Sequence, residues 1–480
     1  MHVLDPGERP SLTYRPVSGA AGPFSHLGVP VKRRVALCGL VAAVAGIGCG
    51  SWGRVGAADQ QPRPSETLTD FLNVQNYYKR LGRLTAGDPV PFVGTVAFAA
   101  GTADTAIAIV ALSLENRAFS FQKEGNSFAA RYHVDISFAR AGSPPITVGR
   151  DQLVRVPTFA ETQRADESVL FQQVFRVTPG TYHVTVQLRD PTSGSSSRAE
   201  LDYTAPSFTP GTTSQPILAY QVRGRASRSD TLAVVINPRG TVAYGGDTLL
   251  AYVEGYDFAR PTQVPFEVRT ESDSVVYRDS LEFHGGRGVE SQVLRLRPDS
   301  MALGELKLVV GQGSAARQAS ALVSFSTAWV VTNFDDMVSL LRYFGHQASL
   351  DSLRKAPPAA RPLLWRAFFR STDPNPSTPE NEALNAYFTR LAIANQRFRD
   401  EGASGWRTDR GEVFIALGEP DEIYETTPGA AGGRIVRWTY VNLRLSLYFV
   451  DETSFGRLRL DPSSRADFER VRGRIQRLAD

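Results

Sequence analysis

The chain has 480 residues, 42% hydrophobic and 21% charged, with a formal net charge of +4. That length is too great for one hydrophobic core and implies about two to four domains. The basic residues are spread along the chain and leave no nucleic-acid footprint. The two cysteines, Cys38 and Cys49, both lie near the start, which excludes a disulfide framework and a cysteine-based metal site.

Residues 1–30 are rich in Pro, Gly and Ser and have no periodicity. Lys32, Arg33 and Arg34 then precede an apolar run, Val35–Ile47, which ends at Gly48, Cys49, Gly50 and Ser51. A basic start, a short apolar stretch and small residues are the pattern of a secretory signal. The run falls short of the roughly 20 apolar residues a bilayer span needs. Translation is expected to start at Val29 or Val31. Gly46-Ile47-Gly48-Cys49 resembles a bacterial lipobox, with Gly46 where Leu is usual. The resemblance implies diacylation of Cys49 as the new N-terminus. Gly50 after the cysteine implies outer-membrane sorting, facing the periplasm; the alternative is a secreted or periplasmic soluble protein. Residues 50–66, with Pro62 and Pro64, read as a tether.

Apolar positions at Leu68, Phe71, Leu72, Tyr78 and Leu81 suit an amphipathic helix over Thr67–Leu84. From Val90 to Pro206 the period shortens to two. Strands are expected over Thr105–Leu114, Phe128–Phe138, Leu170–Val177 and Thr181–Leu188, the last two separated by the turn Thr178-Pro179-Gly180. This spacing fits an immunoglobulin-like sandwich. Ser207–Ser214 reads as a linker. A second sandwich is expected over 215–327, with strands at Leu232–Ile236, Thr248–Val253, Gln263–Thr270, Ser274–Tyr277, Gln292–Leu296 and Glu305–Val310. Pro265 marks its strand as an edge or a bulge. The two modules do not repeat in sequence. His133 and His183 lie in expected strands and read as packed or rim residues, and His284, in a Gly-rich loop, has no Asp, Cys or second His at metal-ligand spacing.

From Asn333 the period becomes helical: Phe334, Met337, Val338, Leu341 and Phe344 share a face behind an Asn333 cap. Pro362–Phe369 forms a second helix. A third starts at Ser377-Thr378-Pro379-Glu380 and carries Leu384, Tyr387, Phe388, Leu391, Ala394 and Phe398. The chain then reaches Gly405-Trp406-Arg407-Thr408-Asp409-Arg410-Gly411 and, after Val413–Leu417, Gly418-Glu419-Pro420-Asp421. With Trp365, Asp373-Pro374, Thr378–Glu382, Tyr387, Ala394-Asn395 and Phe398, these motifs resemble the bacterial GWxTD domain family over about residues 330–462. The family layout is a secretion signal, a β-rich middle and this region at the C-terminus; it implies no settled activity. Glu412–Leu417 departs from the family, which has Arg and a Tyr-containing run there.

Read by itself, the block predicts a buried strand at Val413–Leu417 and a turn at Gly418–Asp421. Further strands follow at Arg434–Tyr440, Leu443–Asp451 and Phe455–Leu460, and then a helix over Ser463–Leu478. Gly-x-Pro-Asp, Trp-x-Tyr and an apolar strand ending in Asp are also weakly similar to small outer-membrane assembly lipoproteins. The expected fold is mainly β and multi-domain: two immunoglobulin-like β-sandwiches, then an α+β domain with helices packed on a small antiparallel sheet.

The candidate motif is Gly405, Trp406, Thr408, Asp409, Arg410, Gly411, Gly418, Pro420 and Asp421. It reads as a structural keystone or as a surface that recognises a protein or ligand, in either case within a protein that binds or scaffolds envelope proteins through this domain and meets the membrane through its N-terminal lipid, with no cofactor, metal or nucleic acid. The alternative is an extracytoplasmic hydrolase with Asp409 as acid, base or nucleophile and Glu419, Asp421 or Glu422 as a second carboxylate. No histidine follows His346, so the block cannot build a serine or cysteine triad.

Overall fold

Alternating apolar residues dominate the described chain and produce 23 strands among its elements. The structure is a computed structural model describing residues 74–164, 167–246, 248–297, 301–398, 404–425, 434–451 and 456–479. The signal segment, Cys49, the tether at 50–66 and the first part of the Thr67–Leu84 helix lie outside these residues; within them that helix is α1 (Val74–Arg80).

The first β module comprises β1 (Leu84–Ala86), β2 (Phe92–Ala100), β3 (Ala106–Leu114), β4 (Gln122–Glu124), β5 (Ser127–Arg140), β6 (Ser143–Val156), β7 (Val169–Val177), β8 (Gly180–Arg189) and β9 (Ser196–Ala205), with the short helix α2 (Phe159–Thr162) after β6. One sheet runs β1-β2-β3-β7; the other runs β4-β5-β8-β9, with β6 on β5. On β5, Ala130, Tyr132, Val134, Ile136 and Phe138 turn inward and share one core with Val184 and Val186 of β8 and Ala108, Val110 and Leu112 of β3, as a period of two dictates. Tyr182, at the start of β8, donates its hydroxyl to Thr178 O at 3.0 Å, pinning the turn before the strand. Immunoglobulin-like sandwiches share such a tyrosine corner.

The second module holds β10 (Thr212–Thr213), β11 (Ile217–Arg223), β12 (Ala233–Ile236), β13 (Thr241–Ala243), β14 (Leu249–Tyr256), β15 (Thr262–Thr270), β16 (Val275–Phe283), β17 (Val289–Leu296), β18 (Gly304–Val310) and β19 (Arg317–Ser324). Its pairing repeats that of the first. β11-β14-β17 matches β2-β3-β7, and β16-β15-β18-β19 matches β6-β5-β8-β9. Two segments without sequence repetition thus share one connectivity. Pro265 lies in β15, an internal strand rather than an edge. It is tolerated because the pairing with β18 begins one residue later, at Phe266, so the missing N–H costs no ladder bond on that side. Ser207–Ser214 is pinned instead of hanging free: β10 pairs with β14, and the Ser214 hydroxyl accepts from Glu254 N at 2.9 Å.

The modules meet across β3. Its inward residues fill the first core, while Ile109 and Ala111 on the other face pack with Ile217, Ala219, Val234, Ile236 and Tyr252. Burial on both faces explains why this segment reads as one continuous apolar run. Beside it, Arg225 donates through Nε to buried Glu254 at 2.6 Å and through Nη2 to Ala100 O at 2.6 Å. Tyr252 and Tyr256 also donate to Glu254, so the buried carboxylate is fully engaged.

The C-terminal region comprises helices α3 (Phe334–Leu340), α4 (Gln347–Lys355), α5 (Arg361–Ser371), α6 (Glu382–Arg397), α7 (Asp409–Leu417) and α8 (Pro462–Ala479), and strands β20 (Glu422–Glu425), β21 (Ile435–Tyr440), β22 (Leu445–Val450) and β23 (Arg459–Leu460), which pair in that order as an antiparallel sheet. The Asn333 side chain accepts from Asp336 N and caps α3. Three expectations need correction. Val413–Leu417 is the second half of α7, not a strand: Thr408 caps the helix, and Asp409 and Glu412 sit at its positive end. A five-residue apolar run carries no period of its own, so the cap upstream decides. The helix expected at Ser377–Glu380 starts at Glu382, because Asn381 has more to offer as a cap. Its side chain accepts from Leu384 N and donates to Phe369 O and Thr372 Oγ1. Of the strand expected over Phe455–Leu460, Phe455 lies outside the described residues, and among the described ones Arg459 and Leu460 pair with β22.

Phe325, at the end of the second β module, packs on Trp365 with ring centres 4.8 Å apart. Trp329 stacks on Phe388 at 3.9 Å. One hydrophobic cluster therefore runs from the second sandwich through the helices into the small sheet.

Candidate functional site: the 405–421 junction

Two glycines make the junction. Gly405 opens a single 3-10 turn, Gly405–Arg407, pressed against α6; a Cβ there would fall 2.3 Å from Ala394 O. At Gly411, in the first turn of α7, a Cβ would fall 1.9 Å from Gly405 O. No larger residue fits at either position. Thr408 joins the two: its hydroxyl donates to Gly405 O at 2.8 Å and accepts from Gly411 N at 3.1 Å.

Trp406 is 2% exposed. The guanidinium carbons of Arg342 and Arg407 lie 4.7 and 4.8 Å from its ring centre, within cation–π range. The Arg410 guanidinium lies 5.5 Å from the Phe398 ring centre. Gly418 ends α7, and its carbonyl accepts from the Tyr440 hydroxyl at 3.0 Å; Pro420 beyond it is buried.

The carboxylates go separate ways. Asp409 accepts from Leu460 N of β23 at 2.7 Å and pairs with Arg465 of α8 at 2.8 Å. Glu419 pairs with Arg397 of α6 at 2.7 Å, in solvent. Asp421 accepts from Val441 N at 2.7 Å, holding the turn between β21 and β22. Each has its own structural partner; Glu419 and Asp421 both lie near Tyr440, whose pKa burial and then their charges raise. Glu422 lies on the exposed strand β20.

Sequence reasoning passed over Glu412. It accepts from Arg465 at 2.7 Å and Arg472 at 2.8 Å, so two arginines seven residues apart on α8 clamp the first turn of α7. Burial opposes the charge on Arg465, but its bonds to Glu412 and Asp409 outweigh this and raise its pKa. The seven-residue spacing was in the sequence; only a helix at 409–417 gives it something to grip. Tyr343 beside this network has a raised pKa, from burial and then from the Glu412 charge.

His133 sits between Asp151 (2.6 Å) and Asp135 (3.0 Å) on the first module's surface. His183 meets Asp202 at 2.8 Å, and His284 lies 3.4 Å from Glu290. Among the described residues no cluster of three or more His, Cys, Asp or Glu is placed to hold a metal ion, and no helix is long and apolar enough to cross a membrane.

The chain matches no curated protein. Solved structures with some similarity include the calcium binding domain CBD12 of CALX1.1 (13% identity, covering 56% of this chain and 93% of that one, TM-score 0.13). Others are the BSP domain of a biofilm associated protein (8% identity, 53% and 55%, TM-score 0.15) and trypsin activated alpha-2-macroglobulin from Escherichia coli (10% identity, 49% and 17%, TM-score 0.16). At such TM-scores none of these likenesses bears on what this chain binds or does. The family comparison is informative where the structures are not: residues 308–452 match the GWxTD domain, a span that contains the interlocked glycines, Trp406 and Asp409, so the chain carries a GWxTD domain in its C-terminal third.

Proposed function

We propose that this protein is a binding or scaffolding component of a bacterial cell envelope. Cys49 carries its lipid anchor, and the GWxTD domain presents the surface that meets other envelope proteins. The observation that carries the reading is on the open face of the C-terminal sheet. Tyr424, Arg437 and Tyr448 stand in register on three neighbouring strands. The Arg437 guanidinium lies 4.3 Å from the Tyr424 ring centre, and both tyrosines are exposed. Tyr and Arg are the residues that most often anchor protein interfaces. The hydrolase reading pairs Asp409 with Glu419 or Asp421, and these are tied to different elements; the carboxylate that does converge with Asp409 is Glu412, and both are ion-paired to Arg465.

The test is a crosslinking pull-down from membranes with the wild type and with a Tyr424→Ala/Tyr448→Ala variant. Partners recovered by the wild type should be lost from the variant; identical sets would remove this face from consideration. The anchor is tested separately. Cys49→Ser should move the protein from the membrane fraction to the soluble fraction, and unchanged fractionation would overturn the lipid attachment.

A further inference from the structure

Beneath the junction, α6, the last turn of α7 and α8 enclose a cleft of about 300 Å³. Phe344, Ala386, Leu417 and Ile475 give it apolar surface, while Ile415 and Tyr387 lie fully buried behind them. Arg472 and Arg390 also reach it, in different circumstances. Arg472 is neutralised by Glu412 and Glu469. Arg390 is half-buried and has no carboxylate partner among the described residues. Its Nε donates to Ile415 O at 3.0 Å, one of the end-of-helix carbonyls that α7 cannot satisfy internally. That bond uses one of five N–H donors and fixes the heading of the planar head. Burial alone works against the charge and lowers its pKa.

We propose that this cleft binds a monocarboxylate with an apolar body, the carboxylate pairing with the free edge of Arg390 and the body lying against Phe344, Leu417 and Ile475. Ligand sites combine apolar walls with a few fixed polar groups, and this volume is at the small end of their range. A guanidinium held at one N–H presents its others as a fork that matches a carboxylate. With Arg472 neutralised, the charge of Arg390 repels a cationic ligand, and a wholly polar anion would leave the apolar surface unused. The α7 end of the cleft is set by the junction: Thr408, Gly411 and Asp409 hold the start of the helix whose last turn forms the wall. The inference does not depend on the envelope reading. It concerns a different surface from the Tyr424–Tyr448 face, so either can fail alone.

Isothermal titration of the full chain decides it. The probes are hexanoate against hexanol and hexylammonium, and a tripeptide ending in leucine as free acid against its amide. At least one carboxylate should bind, with its neutral or cationic counterpart at least tenfold weaker. Tighter binding of hexanoate assigns a free acid, and tighter binding of the peptide acid assigns a chain terminus. Arg390→Gln should weaken the carboxylate at least tenfold. Ala386→Phe, at an exposed lining position, should block the cleft without touching a charge, and it keeps the test decisive if Arg390→Gln fails to fold. Melting temperatures within a few degrees of wild type establish that a variant is folded. The proposal is overturned if neither carboxylate binds the wild type at millimolar concentration, or if a folded variant binds as well as the wild type.

Discussion

Replacing Asp409 separates a structural carboxylate from a chemical one. The side chain is 14% exposed; it accepts from Leu460 N at 2.7 Å and pairs with Arg465 at 2.8 Å, with the exposed Arg459 more distant at 3.8 Å. Asp409→Ala strands the Leu460 N–H in a partly buried place, a cost of about 1–3 kcal/mol. Arg465 is one-third exposed and keeps Glu412, so losing its second partner costs only about 0.2–1 kcal/mol. Removing an acid from the first turn of α7 adds roughly 0.3–1 kcal/mol. The sum is about 1.5–5 kcal/mol for alanine. Asparagine keeps an acceptor for Leu460 and loses only the charge, so about 1 kcal/mol is expected. A chain with several clusters need not unfold in one step, so the assay should be local. Hydrogen exchange at the Leu460 amide should accelerate by a factor of roughly 10 to 4,000 in Asp409→Ala and about tenfold or less in Asp409→Asn, since about 1.4 kcal/mol is a factor of ten. Unchanged protection in Asp409→Ala would refute the tie between α7 and β23. Equal acceleration in both variants would show that charge, not the hydrogen bond, holds the joint.

Arg225→Met should lower stability by about 3–5 kcal/mol by leaving Glu254 buried and unpaired, with partial recovery in Arg225→Met/Glu254→Gln, read by thermal melting. Gly411→Ala should cost about 2–3 kcal/mol because its Cβ meets Gly405 O. Gly473→Ala, within α8 and in open surroundings, should instead stabilise by about 0.5–1 kcal/mol; both are measured by chemical denaturation. His133 has a raised pKa through its hydrogen bonds to Asp151 and Asp135. Its contribution is therefore fully present below the ordinary histidine value of 6.5 and is lost as pH rises through the folded value. His133→Gln should cost about 0.5 kcal/mol or less at pH 5 and nothing at pH 9, followed by melting across that range.

Long periodic segments were legible because their burial is one-sided or complete. β5 alternates over its whole inner face, and α6 keeps Leu384, Tyr387, Phe388 and Leu391 on one stripe, so each element could be read without its neighbours. The misreading at Val413–Leu417 came from a run too short to show a period, while the deciding signal, Thr408 with Asp409 and Glu412, lay just upstream. The shared connectivity of the two β modules was invisible for another reason: strand pairing is set by which faces are apolar and how the turns close, and many sequences satisfy both. The candidate motif was legible as an identity and opaque as a mechanism. Gly405 and Gly411 mark a close approach, but what they approach is each other and the α6 carbonyls, and that contact exists only once α6 and α7 cross. The clamp of Arg465 and Arg472 on Glu412, and the lone bond of Arg390 to Ile415 O, likewise depend on two helices meeting.

The seam along β3 has a practical meaning for anyone who would cut this chain. A fragment ending near residue 206 would bare Ile109 and Ala111 to water, and one beginning near residue 215 would bare Ile217, Ala219 and Val234. It would also take Arg225 away from Ala100 O. Such pieces should aggregate or pair wrongly on expression. The intact body should instead pass a pull at one module on to the next as a stiff strut, without the slack of a jointed chain.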